Sequence, residues 1–242
     1  MIDFAGTSMT VRGDIAEAHA AALDDIARAG TWLTGAEHVA IAAEVRAAPH
    51  SELSLERKNA LSPYAVAGTH ESSGPLSSDQ IEAIHRITID PARLSRRFFD
   101  ESVTAWSTPE RYVEMVGVTV RMVAIDTFCR AIGVDVHPLP DAIDGQPTGV
   151  RPPGLVDDDA WVPMLSDDAM RTEELSNRKP AGNVVRALSA VPAEVRAWGL
   201  LSAAHYVPND KVAEPSWSNR ALSRPEIEAV ATRVSTFNEC FY

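Results

Sequence analysis

Cysteine is nearly missing from this chain: its 242 residues hold two, Cys129 and Cys240, too few for a disulfide framework. Positive charge is scarce as well, with 22 Lys and Arg against 34 Asp and Glu and a formal net charge of −12. Phosphate backbones and anionic lipid surfaces repel such a balance, so neither nucleic acid nor a membrane is an expected partner. Long apolar runs are lacking. The most apolar stretch, residues 112–134, is broken by Glu114, Arg121, Asp126 and Arg130, which argues against a membrane span. The opening residues, Met1-Ile2-Asp3-Phe4-Ala5-Gly6, carry neither the basic nor the apolar segment of a secretory signal. No HExxH, GxSxG, P-loop or GxGxxG occurs, and the seven histidines form no Cys/His cluster along the sequence. A metal, a nucleotide or any other cofactor therefore has nothing to rest on. The expectation is a soluble, cytoplasmic protein.

What is present is helical. Ala, Glu, Arg and Leu recur at helical spacing, and alternating β-branched runs are few. The pattern predicts a helix over 14–29, ended by Gly30. A second opens at Thr34 or Gly35 and is stopped by Pro49, and a third runs from Ser51 to about Leu61. Residues 64–75 read as a loop. Helices follow from Ser77 or Ser78 to Ile89 and from Asp90-Pro91 to Trp106. Ser107, with Glu110 three residues on, has capping-box spacing and opens the longest helix, to Ile132 before Gly133. That helix is apolar around most of its girth and belongs at the centre of a bundle. Within it, Glu114 and Arg121 read as a buried polar pair, Asp126 and Arg130 as i,i+4 support, and Cys129 as a small core residue. Residues 138–180 hold 7 of the 16 prolines and two acidic groups, Asp157-Asp158-Asp159 and Asp167-Asp168. This stretch reads as an extended linker that packs in part through Trp161, Val162, Met164 and Leu165. Helical signals resume at Asn183, at Pro192 and after Ser223-Arg224-Pro225.

Leu33–Ser51 and Leu222–Cys240 align without a gap, with five identities in nineteen positions: Leu33/Leu222, Glu37/Glu226, Ala40/Ala229, Ala42/Ala231 and Val45/Val234. Both begin Leu-Thr/Ser-x-x-Glu before an apolar helix, which points to an internal duplication.

The stretch Leu222-Ser-Arg-Pro-Glu through Phe237-Asn-Glu-Cys-Phe-Tyr242 resembles the active-site helix of the alkylhydroperoxidase D-like / carboxymuconolactone decarboxylase-like superfamily. In that family a Leu-Ser/Thr-x-x-Glu helix leads into Asn-x-Cys-x-x-Cys-x-x-x-His. Asn183–Pro192 resembles the family's entry helix. Trp32–Glu37, Leu94–Arg97 and Tyr112–Val116 resemble a more diverged copy. The resemblance implies an all-α bundle of the alkylhydroperoxidase D-like type with a duplicated, incomplete second unit. The units are 1–137 for the first, 138–180 for the Pro-rich acidic linker and 181–242 for the second, truncated one. An incomplete unit exposes apolar faces, so a homo-oligomer is expected.

The resemblance also implies a chemistry. A thiolate stabilised at a helix start attacks a peroxide oxygen, a second cysteine resolves the sulfenic acid, and a glutamate and a histidine relay protons. Carried across, Cys240 takes the first cysteine position and Glu228 the relay glutamate. The sequence closes at Tyr242, before the positions of the second cysteine and the histidine. In the first copy Ser51 and Ser54 stand at the two cysteine positions, Val39 at the glutamate and Lys58 at the histidine. These residues also have plain readings: Ser51 as a helix N-cap, Ser54 as a first-turn surface serine, Glu228 as a solvated helix residue and Cys240 as an ordinary thiol. Serine forms no disulfide, and its alkoxide needs a strong base. The implied activity is thiol-dependent reduction of a small hydroperoxide, with a thiol reductant protein as partner and a site incomplete in this chain. The alternative is a non-catalytic helical scaffold or binding protein that retains the fold.

Overall fold

The computed structural model describes residue 2, residue 4, residues 6–176 and residues 180–238. Helices dominate it, and among the described residues the only strands are two of two residues each. Helix α1 (Gly13–Ile26) turns Ile15, His19, Ala22, Leu23 and Ile26 inward, the 3–4 spacing of one buried face. Helix α2 (Gly35–Ala47) starts from a closed capping box: the Glu37 backbone N–H donates to Thr34 Oγ1 at 3.2 Å, and the Thr34 N–H donates to the Glu37 carboxylate at 2.8 Å. Gly35 at its first turn has no room for a side chain, because a Cβ would stand 2.9 Å from the Ile143 carbonyl oxygen and closer still to that of Ala27.

A short 3₁₀ turn over Ala48–His50 leads into α3 (Glu52–Asn59). Helix α4 (Ser78–Ile89) opens on a second capping box, Ser77 with Gln80. The helix expected from Asp90-Pro91 is divided. Pro91–Arg93 make one 3₁₀ turn, and α5 (Arg96–Trp106) restarts where Ser95 Oγ accepts from the Phe98 N–H at 3.2 Å. The expected cap of the longest helix also shifts by one residue. Ser107 ends α5 in the left-handed region (φ 70°), and Thr108 caps α6 (Pro109–Ala131) by accepting from the Arg111 N–H at 3.2 Å. Proline at the first helical position dictates this, since its missing N–H is harmless only there.

Helix α6 is the axis of the bundle, packed by α1, α2, α4 and α5. Met115, Val118, Met122 and Ile125 on it are fully buried. Its charges are buried too, but Glu114 and Arg121 do not pair with each other. Seven residues apart, they lie two turns apart along the axis, roughly 10 Å, and each takes partners from another element. Glu114 accepts from the Trp32 N–H at 2.7 Å and lies 2.9 Å from His38 Nε2. Arg121 donates to Asp25, to both Glu194 oxygens at 3.0 Å and to the Gly117 carbonyl. Asp126 accepts two hydrogen bonds from Arg46 at 2.8 Å, with Arg130 at 3.8 Å.

Past Gly133 the chain is extended, as its prolines require, yet it is held against the first helices. The backbone N–H groups of Ile143, Thr148 and Gly149 donate to the carbonyls of Ala27, Gly30 and Thr31 at 2.7, 3.3 and 2.7 Å. Strands β1 (Leu155–Val156) and β2 (Met164–Leu165) pair antiparallel, Leu155 opposite Leu165. Helix α7 (Asp167–Thr172) follows, then α8 (Asn183–Arg186) and α9 (Pro192–His205). Leu165, Met170, Leu188, Val191 and Val195 join the same core as Ile41, Ile84 and Met115, and α9 lies on α1 and α6.

Helix α10 (Arg224–Phe237) begins with a capping box of Ser223 and Glu226, matching Thr34 and Glu37 of α2. Its surroundings differ. Ile41 on α2 is fully buried, whereas its counterpart Val230 is 59% exposed, and Val234 and Phe237 are also exposed. Among the described residues no helix is long and apolar enough to cross a membrane.

Candidate functional site

Pro49 stops α2, and the 3₁₀ turn that follows places Ser51 in extended backbone at the start of α3. Ser51 Oγ accepts from the Ser54 N–H at 3.3 Å, so Ser51 is the N-cap. Ser54 is not the surface serine its position suggests. Its side chain faces inward, 3% exposed, with Oγ 3.1 Å from Ser51 Oγ and 2.8 Å from His85 Nδ1. His85 comes from α4, and its Nε2 lies 2.9 Å from Glu44 Oε2 on α2. Burial, with His70 alongside, holds the His85 imidazole below its ordinary range against the opposing pull of Glu44. With Nε2–H donating to Glu44, the neutral ring presents Nδ1 as an acceptor, and the Ser54 hydroxyl donates to it. The result is a hydroxyl, a base and a carboxylate that orients the base.

A second layer lies outside this line. The His70 ring meets the His85 ring edge-on with centroids 4.5 Å apart, and its Nε2 lies 2.9 Å from Glu82 Oε2. Arg57 on α3 donates to Glu82 at 2.5 Å and to the Gly68 carbonyl at 2.6 Å. Burial alone would raise the Glu82 pKa, but His70 and Arg57 hold it below the ordinary carboxylate range. A cavity of about 200 Å³ opens here, lined by Arg57, Tyr64, His70, Glu82 and Arg86 among others. His70 stands between that cavity and His85.

The remaining expected site residues fall elsewhere. Lys58 is exposed in the last turn of α3, and its carbonyl accepts from Arg93 at 2.7 Å. Glu228 on α10 accepts from the Tyr206 hydroxyl and from Arg224 Nε, both at 2.5 Å, and these two bonds hold its carboxyl below the ordinary range. Cys240 lies outside the described residues. The structure therefore brings Ser51 and Ser54 together and leaves Lys58 and Glu228 apart from them.

A different constellation escaped the sequence. His19 from α1, Cys129 from the last turn of α6 and His137 from the run beyond it offer ligand atoms all within 4.8 Å of one another. His19 Nδ1 is 3.0 Å from His137 Nε2, which is 3.5 Å from Cys129 Sγ. His19 Nε2 lies 2.8 Å from Nε2 of His205, at the end of α9. Burial and the two neighbouring imidazoles push His19 down to about 3, and burial raises the Cys129 thiol. Cys129 is fully buried, as a core residue should be, but one face of its sulfur meets an imidazole. His19 and His137 are 118 residues apart, so no local spacing could announce the group. No family model, no curated protein and no solved structure matches the chain.

Proposed function

We propose that this is a peroxidase-related protein of the alkylhydroperoxidase D-like type. Its first unit keeps a proton relay at a helix start and carries hydroxyls where the resemblance places thiols. One observation carries the reading: Ser51 and Ser54, three residues apart at the start of α3, lie in line with His85 and Glu44 at 3.1, 2.8 and 2.9 Å. A thiol at position 54 would pass its proton to His85 Nδ1, and Glu44 would steady the imidazolium.

The redox step itself needs sulfur. A thiolate forms an S–O bond as the peroxide O–O bond breaks, the alcohol leaves with a proton from the relay, and a second thiol displaces water to give a disulfide. An external dithiol returns both sulfurs to thiols. Serine cannot supply the two electrons. Hydroperoxide reduction in this chain therefore falls to Cys240, with a thiol reductant protein closing the cycle. A cytoplasmic setting and self-association belong to the same reading.

The second reading is a helical scaffold without turnover. The 3% exposure of Ser54 and the screening of His85 by His70 favour it. The Ser51→Cys/Ser54→Cys chain, assayed for hydroperoxide consumption with dithiothreitol, separates the two. The relay reading expects a gain of about 100-fold over the parent, largely lost on adding His85→Asn. A folded double variant no faster than the parent would leave the scaffold. Cys240→Ser is expected to abolish whatever rate the parent shows.

A further inference from the structure

We infer that His19, Cys129 and His137 form a buried binding site for a zinc-type divalent cation, with His205 as the group that orients His19. The site shares no residue with the serine relay and lies where α1, α9 and the end of α6 converge.

Donor geometry comes first. Zinc bound tetrahedrally through nitrogen and sulfur holds its ligand atoms roughly 3.3–3.8 Å apart, given bonds of about 2.0–2.3 Å. The separations of 3.0 Å between His19 Nδ1 and His137 Nε2, and 3.5 Å between His137 Nε2 and Cys129 Sγ, need only a few tenths of an ångström of adjustment. The third separation is no more than 4.8 Å. Two imidazoles and a thiolate suit zinc and its neighbours. Calcium and magnesium want oxygen ligands, and no carboxylate belongs to this group.

The surroundings resemble the support a metal site needs. A ligating imidazole hands its second nitrogen to a fixed partner, and His19, with Nδ1 facing the other two donors, presents Nε2 to His205 at 2.8 Å. His137 is held through its backbone: Arg46, itself clamped by Asp126, donates to the His137 carbonyl at 2.8 Å. Phe4 packs edge-on against His19 and His137, with centroids 5.5 and 5.3 Å away, and Phe128 packs against His19 and His205 at 5.4 and 5.0 Å. His19 and Cys129 are wholly buried and His137 nearly so. The donors are thus shielded from bulk water, and they supply three of the four positions of a tetrahedral site.

The full chain, expressed with zinc in the medium, is expected to purify with close to one zinc per chain by plasma mass spectrometry. After removal by a chelator, added Co²⁺ should give tetrahedral d–d bands and a near-ultraviolet thiolate-to-cobalt charge-transfer band. Cys129→Ser should lose the charge-transfer band while Cys240→Ser keeps it. His205→Gln should weaken cobalt binding by about 10–100-fold, the usual effect of losing an outer partner. Wild-type protein that is folded by circular dichroism yet carries under a tenth of an equivalent of zinc, gives no cobalt spectrum and shows no zinc-dependent rise in melting temperature would overturn the site. So would a charge-transfer band that follows Cys240 instead of Cys129. Both of these results are measured on wild-type protein and Cys240→Ser, so instability of the ligand variants does not blunt the test.

Discussion

Glu194→Gln nearly preserves a side chain's shape while deleting a carboxylate that α9 carries into the core. Glu194 is 3% exposed and faces Arg121, which is fully buried. Burial drives its pKa upward. Arg121 pulls it back, Glu114 and Asp25 push the other way, and the carboxyl rests at about 7 against the ordinary 4.5. The raised value fixes the sign. Between about 4.5 and 7 the unfolded chain has released this proton and the folded chain still holds it. The contribution of Glu194 to stability is therefore complete below about 4.5 and is lost as pH rises through 7. Over roughly 2.5 pH units, at 1.36 kcal/mol each, the loss is about 3 kcal/mol.

Buried histidines oppose this trend in the wild type, since His19 and His85 are held below their ordinary 6.5. They are common to both proteins and cancel in the difference. Urea unfolding of the wild type and Glu194→Gln at half-unit steps from pH 5 to 8, at constant ionic strength, gives that difference directly. The variant should gain about 2.5 kcal/mol on the wild type between pH 5 and 8, since part of the change already lies below pH 5. A difference that stays flat, or moves the opposite way, would show that the carboxylate is already ionised at pH 5 and that Arg121 outweighs burial.

Two further outcomes are expected. Gly35→Ala forces a methyl group against the carbonyl oxygens of Ala27 and Ile143, neither of which is the free end of a side chain. It should cost about 3 kcal/mol, the upper end for overpacking, read as a lower urea midpoint at unchanged slope. Thr34→Ala and Ser223→Ala each remove one capping box and should part company. The first should cost about 1 kcal/mol of global stability, because α2 is core. The second should appear only as faster amide exchange in α10, where Val230, Val234 and Phe237 are exposed.

Helix starts are the most legible part of the sequence, because a cap is a local event. Thr34 with Glu37, Ser77 with Gln80 and Ser223 with Glu226 all close as their spacing suggests. Where two local rules compete, the spacing alone misleads. Ser107 and Thr108 both suit an N-cap, and Pro109 decides between them. The family resemblance draws attention to Ser51 and Ser54, but it cannot supply the groups that give Ser54 its chemistry. His85 lies 31 residues away on α4, and Glu44 sits a turn before the break at Pro49, with nothing in either segment to tie them together. The same holds for Glu114 and Arg121. Their spacing places them on one helix, and only the packing of α1, α2 and α9 shows where each finds its partners.

Flexible tethers accept insertions and deletions readily, because their closure entropy changes only slowly with length. The stretch beyond Gly133 does not have that freedom. Its amides at Ile143, Thr148 and Gly149 are fastened to carbonyls in the turn between α1 and α2, so dropping one residue between Ile143 and Thr148 would carry donors off their acceptors. The number of residues there is dictated by a distance measured over the surface of the first helices, which makes this proline-rich run a strap cut to size.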